Sequence, residues 1–96
     1  MRLVISPMAE KDLEEIGDYI AQNNPLRAQY FVEELYEQCR QMGDFPQAYR
    51  KRPELGERRR SRAYGRYVII FSENQNEVRI ERILHGARDI NELLTD

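Results

Sequence analysis

The chain has 96 residues, 33% of them charged and 41% hydrophobic, and its formal net charge is −2. This length predicts a single domain, residues 1–96, with a modest core. No apolar run approaches the roughly 20 residues that cross a membrane, and the strand-like start gives no sign of a secretory leader. A single Cys and a single His exclude an internal disulfide and a zinc site of the usual Cys/His type. We therefore expect a cytoplasmic protein without metal or cofactor.

The first half of the sequence predicts one strand and two helices. Residues 2–6 have strand character, and Ser6-Pro7 and Asn24-Pro25 each place a capping side chain before a proline, as at a helix start. The short connection between the helices predicts an antiparallel hairpin. Apolar residues recur at helical spacing in both segments: Ala9, Leu13, Ile16 and Ile20 in the first, and Ala28, Phe31, Val32, Leu35, Cys39 and Met42 in the second, with Gly43 as its expected end.

The second half predicts a sheet after a long connection. Residues 44–57 follow no period, and strands are predicted over residues 58–63, 67–73 and 79–84. The continuous apolar run in residues 67–71 is typical of a central strand that is covered on both faces. The predicted fold class is α+β in the order β-α-α-β-β-β: an N-terminal strand, an α-helical hairpin, then a three-stranded antiparallel sheet with the hairpin on one face.

The charges are unevenly distributed along the chain. Residues 1–49 carry 4 basic and 9 acidic side chains, residues 50–66 carry 8 and 2, and residues 67–96 carry 3 and 6. All but one of the cations in the middle segment are arginines, whose planar fork suits phosphate and carboxylate. Arg58, Arg60 and Arg62 would share one face of a strand, with Arg59 on the other. The segment indicates a surface for an acidic partner or nucleic acid; the alternative is an edge strand protected by charge.

Two residues of the last predicted strand could carry chemistry. His85 is the only histidine and stands at the strand end, where a local hydrogen-bonding role is usual. The functional alternative is a general acid or base in RNA cleavage, because histidine exchanges its proton near neutral pH. Arg82 would share a face with Val78, Ile80 and Leu84 and would there need a carboxylate, supplied by Asp89 or an acidic helix residue.

The segment VRIERILHGARDI at residues 78–90 closes an ordered series of motifs. The earlier ones are AEKDLEEIGDYI at 9–20, NPLRAQYF at 24–31, PELG at 53–56, RRSR at 59–62 and GRYVIIF at 65–71. In this order the motifs resemble the RelE/ParE toxin superfamily, and the end of the series resembles its ParE branch. The resemblance covers nearly the whole chain and implies the toxin of a type II toxin–antitoxin (ParDE-like) system.

The resemblance to the ParE branch also implies a target and a partner. The target is DNA gyrase, inhibited by binding so that cleaved gyrase–DNA complexes persist and growth stops; such systems also serve in plasmid stabilisation. The partner is a ParD-like antitoxin, which would lay an amphipathic helix on the hairpin and through which alone the complex would bind operator DNA. The expected antitoxin contacts are Tyr19, Tyr36, Arg58, Arg60 and Arg62. The expected gyrase contacts are Arg59, His85, Arg88 and the tail, residues 91–96.

Two alternatives remain open at this point. In a RelE-like ribosome-dependent mRNA endonuclease, Arg60, Arg82 and His85 would be the catalytic residues, with Glu54 or Glu57 as base. The tail departs from that branch, because it is acidic and aliphatic and lacks an aromatic or second basic group. The other alternative is an interaction module that binds an antitoxin without arresting growth.

Overall fold

The computed structural model describes residues 2–86 and 89–90. Arg88 and residues 91–96, which belong to the expected gyrase contacts, lie outside this range. The elements are β1 (Arg2–Ile5), α1 (Pro7–Ala21), α2 (Pro25–Asp44), β2 (Arg50–Lys51), β3 (Arg59–Tyr64), β4 (Tyr67–Glu73) and β5 (Glu77–His85). Short 3-10 turns at Pro46–Ala48 and Pro53–Leu55 flank β2 within the predicted long connection.

Both helices begin where their capping residues predict. The Ser6 hydroxyl accepts a hydrogen bond from the Ala9 amide at 3.0 Å, and Asn24 caps α2 in the same way. The predicted end of α2 at Gly43 is wrong, because the helix continues to Asp44. Gly43 instead allows α2 to lie close to β1, since a Cβ at this position would be 3.3 Å from the Leu3 Cβ.

The sheet has five strands in the order β1-β5-β4-β3-β2, so the predicted three-stranded antiparallel sheet is wrong. β1 pairs in parallel with β5, and the other three pairs are antiparallel. The parallel pair joins Arg2 to Glu77, which are far apart in sequence and share no local pattern. β2 has only two residues, too few to show an alternation of polar and apolar side chains.

The sheet is covered on both faces. The main core lies between the hairpin and the sheet and includes Leu13, Leu35 and Phe71. A smaller cluster on the opposite face joins Ile70 of β4 with other apolar side chains: Leu55, Val68, Leu84 and Ile90. Because neighbouring residues of β4 enter different clusters, the prediction of a central strand covered on both faces is confirmed.

A bulge in β5 reverses the alternation of its side chains. Ile70 pairs with Arg82 and Phe71 with Ile80, which leaves Glu81 as an extra residue in β5. Ile80 therefore faces the hairpin, while Leu84 lies in the cluster on the other face. The expectation that Arg82 shares one face with Val78, Ile80 and Leu84 is wrong for this reason.

The buried thiol of Cys39 should be protected from alkylation. Cys39 is 0% exposed, and burial raises the pKa of its thiol from the ordinary 9.0 to about 12. We expect a thiol reagent at pH 8 to react at least about 100-fold more slowly with the native chain than with the urea-unfolded chain, because reaction requires opening of the core. Mass spectrometry of quenched reactions would measure both rates. Comparable rates would contradict the buried position.

The same pKa shift predicts how stability depends on pH. Because the thiol ionises more easily in the unfolded chain, its contribution to stability is complete below pH 9 and declines as pH rises toward 12. A Cys39→Ala variant should lack this component of the alkaline decline, which urea titrations at several pH values would measure.

Candidate binding surfaces

The outer side of the helical hairpin carries a groove of about 540 Å³. Its lining combines apolar residues with charged neighbours that are mostly acidic: Leu13, Gly17, Val32 and Tyr36, with Glu10, Glu14, Asp18 and the single cation Lys11 beside them. The helices lie close together at this point, since a Cβ on Gly17 would be 3.2 Å from the Val32 Cγ2. An apolar floor with acidic sides suits the apolar face of a helix whose flanking residues are basic.

Tyr36 and Tyr19, two of the expected antitoxin contacts, are both exposed on the hairpin. Tyr36 is 39% exposed and donates a hydrogen bond to the Glu10 carboxylate at 2.8 Å, which raises the pKa of Tyr36 to about 12. Tyr19 is 66% exposed on α1. The hydrogen bond fixes the Tyr36 ring beside the groove, as a rigid aromatic side chain available to a partner.

Other large apolar side chains are also exposed on this half of the molecule. They are Met8, Leu26, Tyr30 and Phe45. Phe45, the C-cap of α2, is 72% exposed and was missed by the sequence interpretation because it lies beyond the apolar stripe of the helix.

The arginines of residues 50–66 divide into two groups, and the first group is structural. Arg52 pairs with Glu54 at 2.9 Å, Arg59 with Glu81 at 3.3 Å and Arg60 with Glu73 at 3.1 Å. Arg60 also donates to the Tyr49 carbonyl at 2.8 Å, and its side chain is only 13% exposed. Arg59 and Arg60, predicted to contact gyrase and antitoxin respectively, therefore already have partners within the chain.

The second group, which we call the basic edge, comprises five exposed cations: Arg50, Lys51, Arg58, Arg62 and Arg66. None of them forms an ion pair with another residue of the described part of the chain. Arg62 lies over the ring of Tyr49, with 5.9 Å between its guanidinium carbon and the ring centroid. The predicted common face of Arg58, Arg60 and Arg62 is wrong, because Arg58 precedes β3 with a φ of 63°.

Arg82 has a structural role that the sequence predicted only in part. Its guanidinium donates two hydrogen bonds to Asp12 of α1, at 2.8 and 3.0 Å, and the same carboxylate accepts the Ile83 amide at 2.9 Å. The hydrogen bonds to Asp12 hold the pKa of Arg82 above its ordinary value. The expected carboxylate partner is thus confirmed and comes from the helix.

Asp12 compensates for the short length of β1. β1 pairs with β5 only as far as Ile80, so the next residues of β5 lack a strand neighbour on that side. Asp12 binds the Ile83 amide there, and the Ser6 hydroxyl donates to the Glu81 carbonyl at 2.9 Å. The sequence held a signal for this role, since Asp12 falls inside the apolar stripe of α1, where an unpaired charge is unfavourable.

His85 lies at the end of β5 against Tyr67, with ring centroids 5.7 Å apart and planes at 83°. Its amide donates to the Asp89 carboxylate at 3.1 Å. The Nδ1 atom is buried and has no hydrogen-bond partner within the described residues.

The three candidate nuclease residues lie on the two strands that flank β4, Arg60 on β3 and both Arg82 and His85 on β5. On β4, the partner of Arg60 is Phe71 and the partner of His85 is Tyr67. These two β4 residues are four positions apart, which corresponds to about 13 Å along the strand. Arg60 pairs with Glu73 and Arg82 with Asp12.

The described residues contain no group of three or more His, Cys, Asp or Glu side chains suited to a metal ion. Within the same residues, no helix combines the length and apolarity needed to cross a bilayer. The described structure has the hairpin groove, the basic edge and a polar pocket of about 410 Å³ whose lining includes Arg58, Arg59 and Glu81.

Comparison with known proteins identifies the family. Residues 3–90 match the family model described as the ParE toxin of the type II toxin–antitoxin system, parDE. The structure is similar to a solved structure titled "Chromosomal ParDE TA system from P. aeruginosa", with a TM-score of 0.78 and 23% identity over 88% of this chain and 95% of that chain. No curated protein matches the chain. Since the family match spans nearly the whole domain and the fold agrees, this chain belongs to the ParE family of toxins from type II toxin–antitoxin systems.

Proposed function

We propose that the chain inhibits DNA gyrase by binding it, that cleaved gyrase–DNA complexes then persist, and that a ParD-like antitoxin neutralises the effect. The observation that carries this proposal is the family match over residues 3–90. Operator DNA would be bound by the complex through the antitoxin alone. Gyrase as target implies a cytoplasmic site of action, which agrees with the free thiol of Cys39.

The side-chain contacts support action by binding. A nuclease needs a proton donor and cations near one phosphate. In this chain Arg60 and Arg82 are held by carboxylates, and His85 packs edge-on against Tyr67 at a distance from Arg60. These residues maintain the sheet and its contact with α1, so a binding mechanism agrees better with their positions than the RelE-like alternative.

The charge distribution supports a bipartite antitoxin. The sides of the hairpin groove are mostly acidic, and β2 and β3 of the basic edge lie at the sheet edge opposite β1. A partner that places an amphipathic helix with basic flanks in the groove, and an acidic segment along Arg58 and Arg62, would complement both surfaces. Arg60 would act indirectly in this contact, by holding Tyr49 below Arg62.

Purified toxin should stop gyrase supercoiling and should leave message intact during translation in vitro. Relaxed plasmid with gyrase and ATP would show linear DNA only when gyrase and toxin are both present. A His85→Gln variant should retain most of this activity, because the side chain has no catalytic part in it. If His85 were instead a general acid, the same change would lower a cleavage activity by about 100-fold or more.

The in vitro translation assay tests the endonuclease alternative. Cleavage of message in the ribosomal A site by the wild-type chain, lost in His85→Gln, would reject gyrase inhibition and select the endonuclease. Absence of both activities together with tight antitoxin binding would select the plain interaction module.

A further inference from the structure

The five cations of the basic edge lie on β2, on β3 and in the two turns that flank β3. β2 is the edge strand, and Arg50 and Lys51 pair there with Ser61 and Arg60 of β3. Arg58 precedes β3, and Arg66 follows it in the turn to β4. The six residues of β3 span about 20 Å, so the cations are distributed along a length over which duplex DNA presents about twelve phosphate charges.

The positive charge of the basic edge is only partly offset by nearby carboxylates. Between residues 50 and 66 the carboxylates are Glu54, which pairs with Arg52, and Glu57, which is exposed. Arg59 and Arg60 take their carboxylates from β5 and β4. Arg58 shares a pocket with Glu57, Glu73 and Glu77, whereas Arg50, Lys51, Arg62 and Arg66 form no ion pair among the described residues, and their field attracts a polyanion.

The segment that carries Arg58 holds it in a conformation that arginine seldom adopts. Gly56 has a φ of 138° and Arg58 a φ of 63°, and the Arg59 amide closes the turn on the Gly56 carbonyl at 3.3 Å. Gly or Asn would be more relaxed at the left-handed position of Arg58. A charged side chain kept at such a position points to a role in contact with a ligand.

In the free toxin, where no antitoxin segment covers Arg58 and Arg62, the composition of the edge favours nucleic acid as its ligand. Protein interfaces depend on a few buried apolar or aromatic anchors. In the described residues the exposed large apolar side chains all lie between Met8 and Phe45, outside the strands that bear the edge. Four of the five edge cations are arginines, and a polar, arginine-rich surface without apolar anchors is typical of contacts with phosphates.

We infer that the basic edge binds the phosphate backbone of duplex DNA without regard to sequence. This inference rests on the proposed function for its biological setting, in which the DNA is the segment held by gyrase. The toxin would then contact the enzyme and its DNA together, and the acidic hairpin would point away from the duplex because phosphate repels it.

The test measures duplex binding without gyrase. A short fluorescent duplex of arbitrary sequence is titrated with purified toxin at several salt concentrations, and anisotropy reports the association constant. The edge variant Arg50→Gln/Lys51→Gln is compared with Arg2→Gln/Lys11→Gln. Each pair removes one Arg and one Lys, and all four residues are exposed and without an ion pair among the described residues.

We expect the edge variant to bind about 10-fold more weakly at low salt, with the slope of log K against log salt reduced by nearly two, since each lost phosphate contact lowers it by about 0.9. The control pair should stay within about 2-fold of wild type, because its charges lie at the β1 edge and on α1. Equal losses in the two variants would overturn the inference, as the effect would then reflect net charge alone.

A competition experiment distinguishes duplex DNA from an acidic protein as the ligand of the basic edge. Poly-L-glutamate at equal charge concentration should displace little of the duplex, because a flexible carboxylate chain brings no helix for the hairpin groove. Full displacement would overturn the inference, since the edge would then accept any polyanion. The gyrase assay is independent: if wild type fails to inhibit gyrase, the duplex titration still tests the edge. If the edge variant poisons gyrase and binds duplex as wild type does, the DNA contact is rejected while gyrase inhibition stands.

Discussion

Replacement of Asp12 by Ala is expected to lower the free energy of unfolding by about 3 kcal/mol, the range found when one partner of a buried ion pair is removed. Asp12 is 8% exposed, and its carboxylate accepts three hydrogen bonds, two from Arg82 and one from the Ile83 amide. Its loss leaves a partly buried guanidinium and a main-chain amide without partners. The Arg82 side chain is 29% exposed, so water offsets part of the effect and we expect the lower end of the range.

Urea titration followed by circular dichroism would measure the change. Glu14→Ala on the same helix is the matched control, because Glu14 is exposed and its loss should change stability by no more than about 0.5 kcal/mol. Asp12→Asn should fall between the two variants, since the amide oxygen can still accept from Ile83 but lacks the charge.

A double variant shows whether Asp12→Ala lowers stability by breaking the ion pair or by leaving a cavity. In Asp12→Ala/Arg82→Met the unpaired cation is gone, so the double variant should be more stable than Asp12→Ala alone. If the losses of the two single changes simply add, the pair is not coupled and the proposed reason for the effect is wrong.

The predictable part of the fold is the part specified by short-range signals. The Ser6-Pro7 and Asn24-Pro25 starts mark both helices correctly, and the run from Tyr67 to Phe71 identifies the central strand. The pairing of β1 with β5 could not be predicted in this way, because it joins Arg2 to Glu77 and depends on how the hairpin crosses the sheet. The bulge at Glu81 is visible only in the register with β4.

The binding surfaces, too, are predictable only as far as short-range signals specify them. The sequence predicts a cluster of cations in residues 50–66, but it cannot separate bound arginines from free ones. Arg59 finds Glu81 across 22 positions and Arg82 finds Asp12 across 70, so the pairs form only when the strands and α1 are assembled. The contacts assigned to Tyr19, Tyr36, Arg58 and Arg62 stay predictions, and their exposure makes them testable by substitution.

Replacement of Tyr36 by Ala is expected to weaken antitoxin binding by about 30-fold, or about 2 kcal/mol, the loss typical of an aromatic anchor. Tyr36 lines the hairpin groove, and its hydrogen bond to Glu10 holds the ring in place before the partner arrives. Tyr36→Phe keeps the ring and loses only that hydrogen bond, so its effect should be a few-fold. Tyr19→Ala, at an exposed position of α1 that does not line the groove, should weaken binding by no more than about 3-fold.

Calorimetry with the cognate antitoxin would measure these affinities, and Tyr30→Ala is the matched control. Tyr30 lies on α2 and is 53% exposed, but it does not line the groove. Its replacement should change the dissociation constant by less than about 2-fold, since exposed side chains outside the anchor region contribute little. If Tyr30→Ala and Tyr36→Ala weakened binding equally, the antitoxin helix would have to cross the outer face of α2, and the groove between the helices would be rejected as its seat.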